Sequence, residues 1–147
     1  MARRPQKQSG PPLAPLLDVC IHGQPISAQT SRRLTLGDWK QKVRSACEAA
    51  WPKDQALLDG PVRLRVTYYC ESLAGDVDNL VKPIQDALQG VVYRNDRQIS
   101  DVTGRRRMID DLFRARYMSP VLAMAFSDGR PFVHVEVWPN PAQEVIG

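Results

Sequence analysis

The sequence predicts an α/β fold of the α+β kind, a small mixed sheet with helices packed on it. Two stretches alternate apolar and polar residues with a period of two, Val62 to Tyr69 and Phe132 to Trp138. Two others repeat apolar residues at helical spacing, Thr35 to Trp51 and Asn79 to Gln89. The two kinds interleave along the chain, the pattern expected of strands covered by helices.

Taken in order, Leu16 to Ile21 reads as a first strand, ended by the turn His22-Gly23-Gln24-Pro25. In the first helix Leu36, Trp39, Val43, Ala46, Cys47 and Ala50 share a face, with Lys40, Lys42, Arg44 and Glu48 between them. Pro52 stops it. Trp39 and Trp51 are expected in the core or at its rim. In the clearest strand Val62, Leu64, Val66 and Tyr68 alternate against Arg63, Arg65, Thr67 and Tyr69. The second helix gathers Leu80, Ile84, Ala87 and Leu88, places Pro83 near its first turn and offers Gly90 as C-cap. Val91 to Tyr93 is expected as a short strand, and Gln98 to Met108 as an extended segment. Asp110 to Phe126 reads as a helix interrupted at Pro120, with Asp110-Asp111 suiting its N-terminal dipole. In the last strand His134 is expected to face outward or to pair within the sheet, without chemistry of its own.

At 147 residues the chain is expected to hold one domain. A chain of that size can bury roughly 70% of its unfolded surface. Residues 1–15, rich in Pro, Gly, Gln and Arg, are expected to be flexible, the domain to run over 16–140, and 141–147 to form a tail. The hydrophobic fraction of 43% excludes a wholly disordered chain. Cys20, Cys47 and Cys70 are odd in number and form no C-x-x-C pair, which argues against a disulfide scaffold or a zinc site. No stretch is apolar enough for a membrane helix, and no apolar run marks a secretory signal, so a cytoplasmic location is expected. The net charge of +4 and a pI of about 9.2 favour a polyanionic partner such as nucleic acid.

Inside this basic chain sits an acidic cluster. Asp76 and Asp78 are two residues apart just before a helix, so in extended backbone both side chains point the same way and can share one ion. Hard divalent cations take such oxygen donors. Sugar transferases also contain D-x-D, and many surface loops do. Asp78, Lys82 and Asp86 are spaced i, i+4, i+8, a stripe opposite Leu80, Ile84 and Leu88. A lysine there can meet charge that develops on a phosphate oxygen, or it can form an ordinary i,i+4 salt bridge on a solvated face. Asp96 lies in a polar turn that could return it to the pair.

From Asp76-Val-Asp78-Asn79 through Lys82 and Asp86-Ala87-Leu88, followed by Asn95-Asp96-Arg97-Gln98, the sequence resembles the RusA family of Holliday junction resolvases. That family's pattern is D-x-D-N-x-x-K-x-x-x-D-A-L, then D-D-x-Q. Gly23-Gln24-Pro25 is similar to its N-terminal turn. The resemblance implies a RusA-like fold and a homodimeric, Mg2+-dependent endonuclease, with Mn2+ able to substitute, that nicks branched DNA. It implies Asp76, Asp78 and Asp96 as catalytic residues and metal ligands, and Lys82 as the essential lysine. Asp86 matches a position with a structural role. Three departures stand out. Asn95 replaces one of the paired aspartates, Ala28 and Thr30 stand where the family carries Lys and Arg, and the segment Ile109 to Arg130 is long. Arg32, Arg33, Arg105, Arg106 and Arg107 are the expected DNA contacts, with Arg63 and Arg65 as further candidates. Two rival readings remain: a catalytically impaired junction-DNA-binding protein of the same fold, and a metal-dependent sugar transferase.

Overall fold

A computed structural model describes residues 14–23, 25, 33–71, 77–109 and 118–140. The elements are β1 (Leu17–His22), α1 (Arg33–Ala50), β2 (Val62–Cys70), α2 (Val77–Leu88), a single 3-10 turn (Asp96–Gln98), β3 (Ile99–Met108), α3 (Pro120–Ser127) and β4 (Phe132–Pro139). The strands form one mixed sheet in the order β1-β4-β2-β3. Central β4 runs antiparallel to both β1 and β2, while β2 and β3 are parallel. A parallel pair needs a crossover, and α2 supplies it.

The period-two pattern sorts each strand between two faces. Val62, Leu64 and Val66 of β2, Val133, Val135 and Val137 of β4, and Leu17 and Ile21 of β1 all turn toward α1 and α2. There they meet Trp39, Val43 and Cys47 of α1 and Leu80, Ile84 and Leu88 of α2. Trp39 is buried and Trp51 half-buried, as the helix pattern predicts. The opposite face carries a smaller cluster of Tyr69, Leu122, Ala125 and Phe132 beneath α3. Its aromatics hold Tyr69 and Phe132 stacked at 4.8 Å, with Phe126 edge-on to both.

Beside that cluster the same face holds a buried polar row. The Arg65 guanidinium donates to both carboxylate oxygens of Glu136, at 2.8 and 3.0 Å. His134 Nε2 lies 2.6 Å from Asp18 Oδ1. His134 is 3% exposed, so it does not face outward as one sequence expectation had it; the face away from α1 and α2 is itself covered at this strand. Burial raises the pKa of Asp18, but hydrogen bonds from His134 and then Ser119 outweigh it, and the carboxyl ends below its ordinary value. Burial pushes the Cys20 and Cys47 thiols up to about 12, which leaves both protonated and unreactive.

Three element expectations need correction. Val91 to Tyr93 is a turn joined by isolated bridges, Leu58 to Tyr93 and Gln89 to Tyr93, and not a strand. Val91 and Val92 donate back to the Leu88 carbonyl, which curls this apolar run against the helix it follows. Pro120 opens α3 instead of interrupting a helix, with Ser119 as N-cap accepting from the Leu122 amide; proline's fixed φ suits a first helical turn. Pro83 sits inside α2, past its first turn, because that helix begins at Val77. The expected helix start at Asp110-Asp111 lies outside the described residues. Gly90 does follow α2 with φ +80, the left-handed backbone that suits glycine after a helix end.

Candidate active site

The site is built where α2 faces the loop that leads into β3. The backbone of Asp78 stands in the first turn of α2, and Lys82 follows one turn later. Asp96 opens the 3-10 turn. Lys82 Nζ lies 3.2 Å from Asp96 Oδ2 and 3.0 Å from Asp86 Oδ1. Two of the sequence-predicted site residues, fourteen positions apart, are therefore in contact. Hydrogen bonds to Asp86 and then to Asp96 raise the Lys82 pKa, so the ammonium is the form present at neutral pH. Asp76, and the side chain of Asp78, lie outside the described residues.

A set of uncharged contacts places Asp96. Asn95 accepts from the Arg97 amide at 2.9 Å, while Gln98 Oε1 accepts from the amides of Arg94 and Asn95 at 3.0 and 3.1 Å. Together these form a capping box. Gln98 Nε2 also donates to the carbonyls of Leu58 and Gly60, which ties the turn to the strand entry behind it. Gln89 Oε1 accepts from the Asp96 amide at 3.3 Å. At the end of α2, Arg44 donates to the Gln89 carbonyl at 2.6 Å, a cation at a helix C-terminus where the dipole favours it.

Asn95 thus has a capping task that needs an acceptor oxygen and no charge. Its side-chain oxygen accepts from the Arg97 amide within the cap, and the side chain is exposed. Sequence reasoning missed Lys40, Gln89 and Gln98. Gln98 stood inside the recognised motif, which was the available signal. Lys40 Nζ meets Asp86 Oδ2 at 3.1 Å from another helix, and no local spacing announces that contact.

The arginine candidates disperse. Arg32 lies outside the described residues, and Arg33 opens α1 with its side chain also outside them. On β3 the pairing Thr67 to Arg105, Tyr68 to Arg106 and Tyr69 to Arg107 splits the run between two faces. Arg106 shares the α2 face with Tyr68, while Arg105 and Arg107 share the opposite one. Arg105 Nε donates to Thr67 Oγ1 at 3.0 Å, and burial followed by repulsion from Arg65 lowers its pKa. Arg65 is committed to Glu136, so it is an internal charge partner and not the free phosphate contact that the sequence suggested. Arg63 lies over the Trp138 ring at 4.6 Å.

Among the described residues no group of three His, Cys, Asp or Glu side chains is arranged to hold a metal ion. The donor chemistry at Asp96 nevertheless suits a hard divalent cation, because it is a half-buried carboxylate of the oxygen type such ions take. No helix among the described residues is long and apolar enough to cross a membrane.

A family model described as Endodeoxyribonuclease RusA matches residues 26–137. A search of curated proteins found no match. The matched stretch spans α1 through most of β4 and includes Lys82, Asp86 and Asp96 in their observed arrangement, and on that match the chain belongs to the RusA endodeoxyribonuclease family.

Proposed function

We propose that this chain is a Mg2+-dependent endonuclease that resolves Holliday junctions or related branched DNA by phosphodiester hydrolysis, in recombination and repair, and that it works as a homodimer. The contact between Lys82 and Asp96 carries the reading, because it joins a helix residue and a loop carboxylate from separate parts of the family motif. Asp76, Asp78 and Asp96 would hold Mg2+, or Mn2+ in its place. When bound, such an ion supplies activation of water and neutralisation of phosphate charge. Lys82 stays cationic and would meet the charge that develops on a phosphate oxygen as the bond breaks. Arg32, Arg33, Arg105, Arg106 and Arg107 would grip the backbone through phosphates, which fixes position without reading sequence. A two-fold axis would duplicate the site and match the symmetry of a four-way junction.

The test is cleavage of a synthetic four-way junction by the purified chain in Mg2+. Wild-type protein should nick it, and Lys82→Ala should lose about 100-fold or more in kcat, the effect typical of removing one group that stabilises transition-state charge. Asp78→Asn and Asp96→Asn should be inactive yet still bind the junction. Binding without cutting by the wild type would leave the second reading, an impaired junction-binding protein. The Asn95 replacement argued for that reading, and its capping role weakens the argument.

A further inference from the structure

Lys82 does not rest on Asp96 alone. Asp86, one turn further along α2, presents one carboxylate oxygen to each of two lysines: Oδ1 to Lys82 Nζ at 3.0 Å, and Oδ2 to Lys40 Nζ at 3.1 Å. Lys40 comes from α1, the helix packed beside α2 in the core. With both oxygens so engaged, Asp86 is poorly suited to ligate a metal, although it stands in the same motif as the proposed ligands. It is well suited to hold an ammonium. A lysine has four rotatable carbons and a compact charge, so its head group is fixed by its partners and not by its stem.

We propose that Asp86 is a positioning residue for the Lys82 ammonium, and that Lys40 fixes Asp86 in turn. The inference rests on the nuclease reading above. Its physical point concerns what happens when Asp96 serves a cation. A carboxylate that gives its lone pairs to a divalent ion pulls less on a neighbouring ammonium, and the two positive charges repel. Asp86 remains as the anchor that keeps Lys82 at the site, half a carboxylate being reserved for it. Lys40 supplies the second charge that holds the Asp86 plane, and it does so from an element that the core already fixes. Lys82, Asp86 and Lys40 together carry one net positive charge, which balances the Asp96 carboxylate beside them.

The experiment uses the full chain with two readouts. The first is kcat and KM on the synthetic junction in Mg2+. The second is the lysine ammonium 1H–15N spectrum without DNA or metal, where a hydrogen-bonded Lys82 gives a resonance that Lys82→Arg removes. Asp86→Asn should lower kcat by about ten-fold or more with KM little changed, as expected when a catalytic group is displaced without loss of substrate binding. It should also broaden the Lys82 ammonium signal. Asp86→Glu should recover most of the activity. Lys40→Met should give a smaller loss, with none added in the Asp86→Asn background, because the two act in series. Lys40→Met also keeps the test alive should Asp86→Asn fold poorly. An Asp86→Asn enzyme with normal kcat beside a dead Lys82→Ala enzyme overturns this inference and spares the nuclease reading. So does an unchanged Lys82 signal. A wild type that never cuts overturns both.

Discussion

At the scale of single residues, neutral side chains hold the turn that carries Asp96. Asp96 is held by its backbone amide, through Gln89, and by a turn that Asn95 and Gln98 close on each other. Asn95, the departure from the family's paired aspartates, caps the turn that carries Asp96. Aspartate and asparagine both cap well, so Asn95→Asp should fold and cut normally. Asn95→Ala should lose about 1 kcal/mol of stability through the lost cap, and should lower kcat because Asp96 follows in the same turn. Urea unfolding alongside the junction assay checks both halves. Normal stability in Asn95→Ala would show that the cap is idle.

At the scale of elements, β4 decides the most. It is buried along nearly its whole length, with three valines against the helices and His134, Glu136 and Trp138 on the other side. Charge there survives only in pairs. Arg65→Met would strand the Glu136 carboxylate, and because Arg65 is itself about a third exposed the loss should be about 2–3 kcal/mol, below the figure for a wholly buried pair. Glu136→Gln in the same background should recover part of it, as read by thermal melting. Asp18 makes a pH prediction. Its folded pKa is depressed below the ordinary 3.8, so its contribution is present above that value and is lost as pH falls through the lower folded value. Asp18→Asn should therefore destabilise the fold near neutral pH, and progressively less below 3.8, as read by thermal melting across pH. A penalty that stays constant into acid would refute the assignment.

At the scale of the whole molecule, strand register divides the arginines of β3 between the two sheet faces. Junction binding should be strongly salt-dependent, with log K falling linearly against log salt. Replacing Arg106 and Arg107 by Ala should flatten that slope by about one for each phosphate contact removed, and weaken all branched DNAs about equally. A slope unchanged by the double variant would place the DNA elsewhere. Chelation of the divalent ion should abolish cutting while leaving binding, which separates grip from chemistry.

The sequence by itself determined the layers and the local spacing along each helix and strand. Period two in Val62 to Tyr69 and period 3.6 in Thr35 to Trp51 are local consequences of strand and helix geometry, so they are legible without a structure. The contact of Lys82 with Asp86 along one helix face followed from helical spacing for the same reason. What needed the tertiary structure was every partnership between distant residues. Burial of His134 depends on what covers the far face of the sheet. The fate of Arg65 depends on Glu136, seventy-one positions away. The split of Arg105, Arg106 and Arg107 depends on strand register. Lys82 illustrates both sides: its place on α2 was set by spacing, but its company, Asp96 across a turn and Asp86 braced by Lys40, was set by how α1, α2 and the loop before β3 pack. Local periodicity is written in neighbouring residues, whereas ion pairs form between whichever charges the packed core brings within reach.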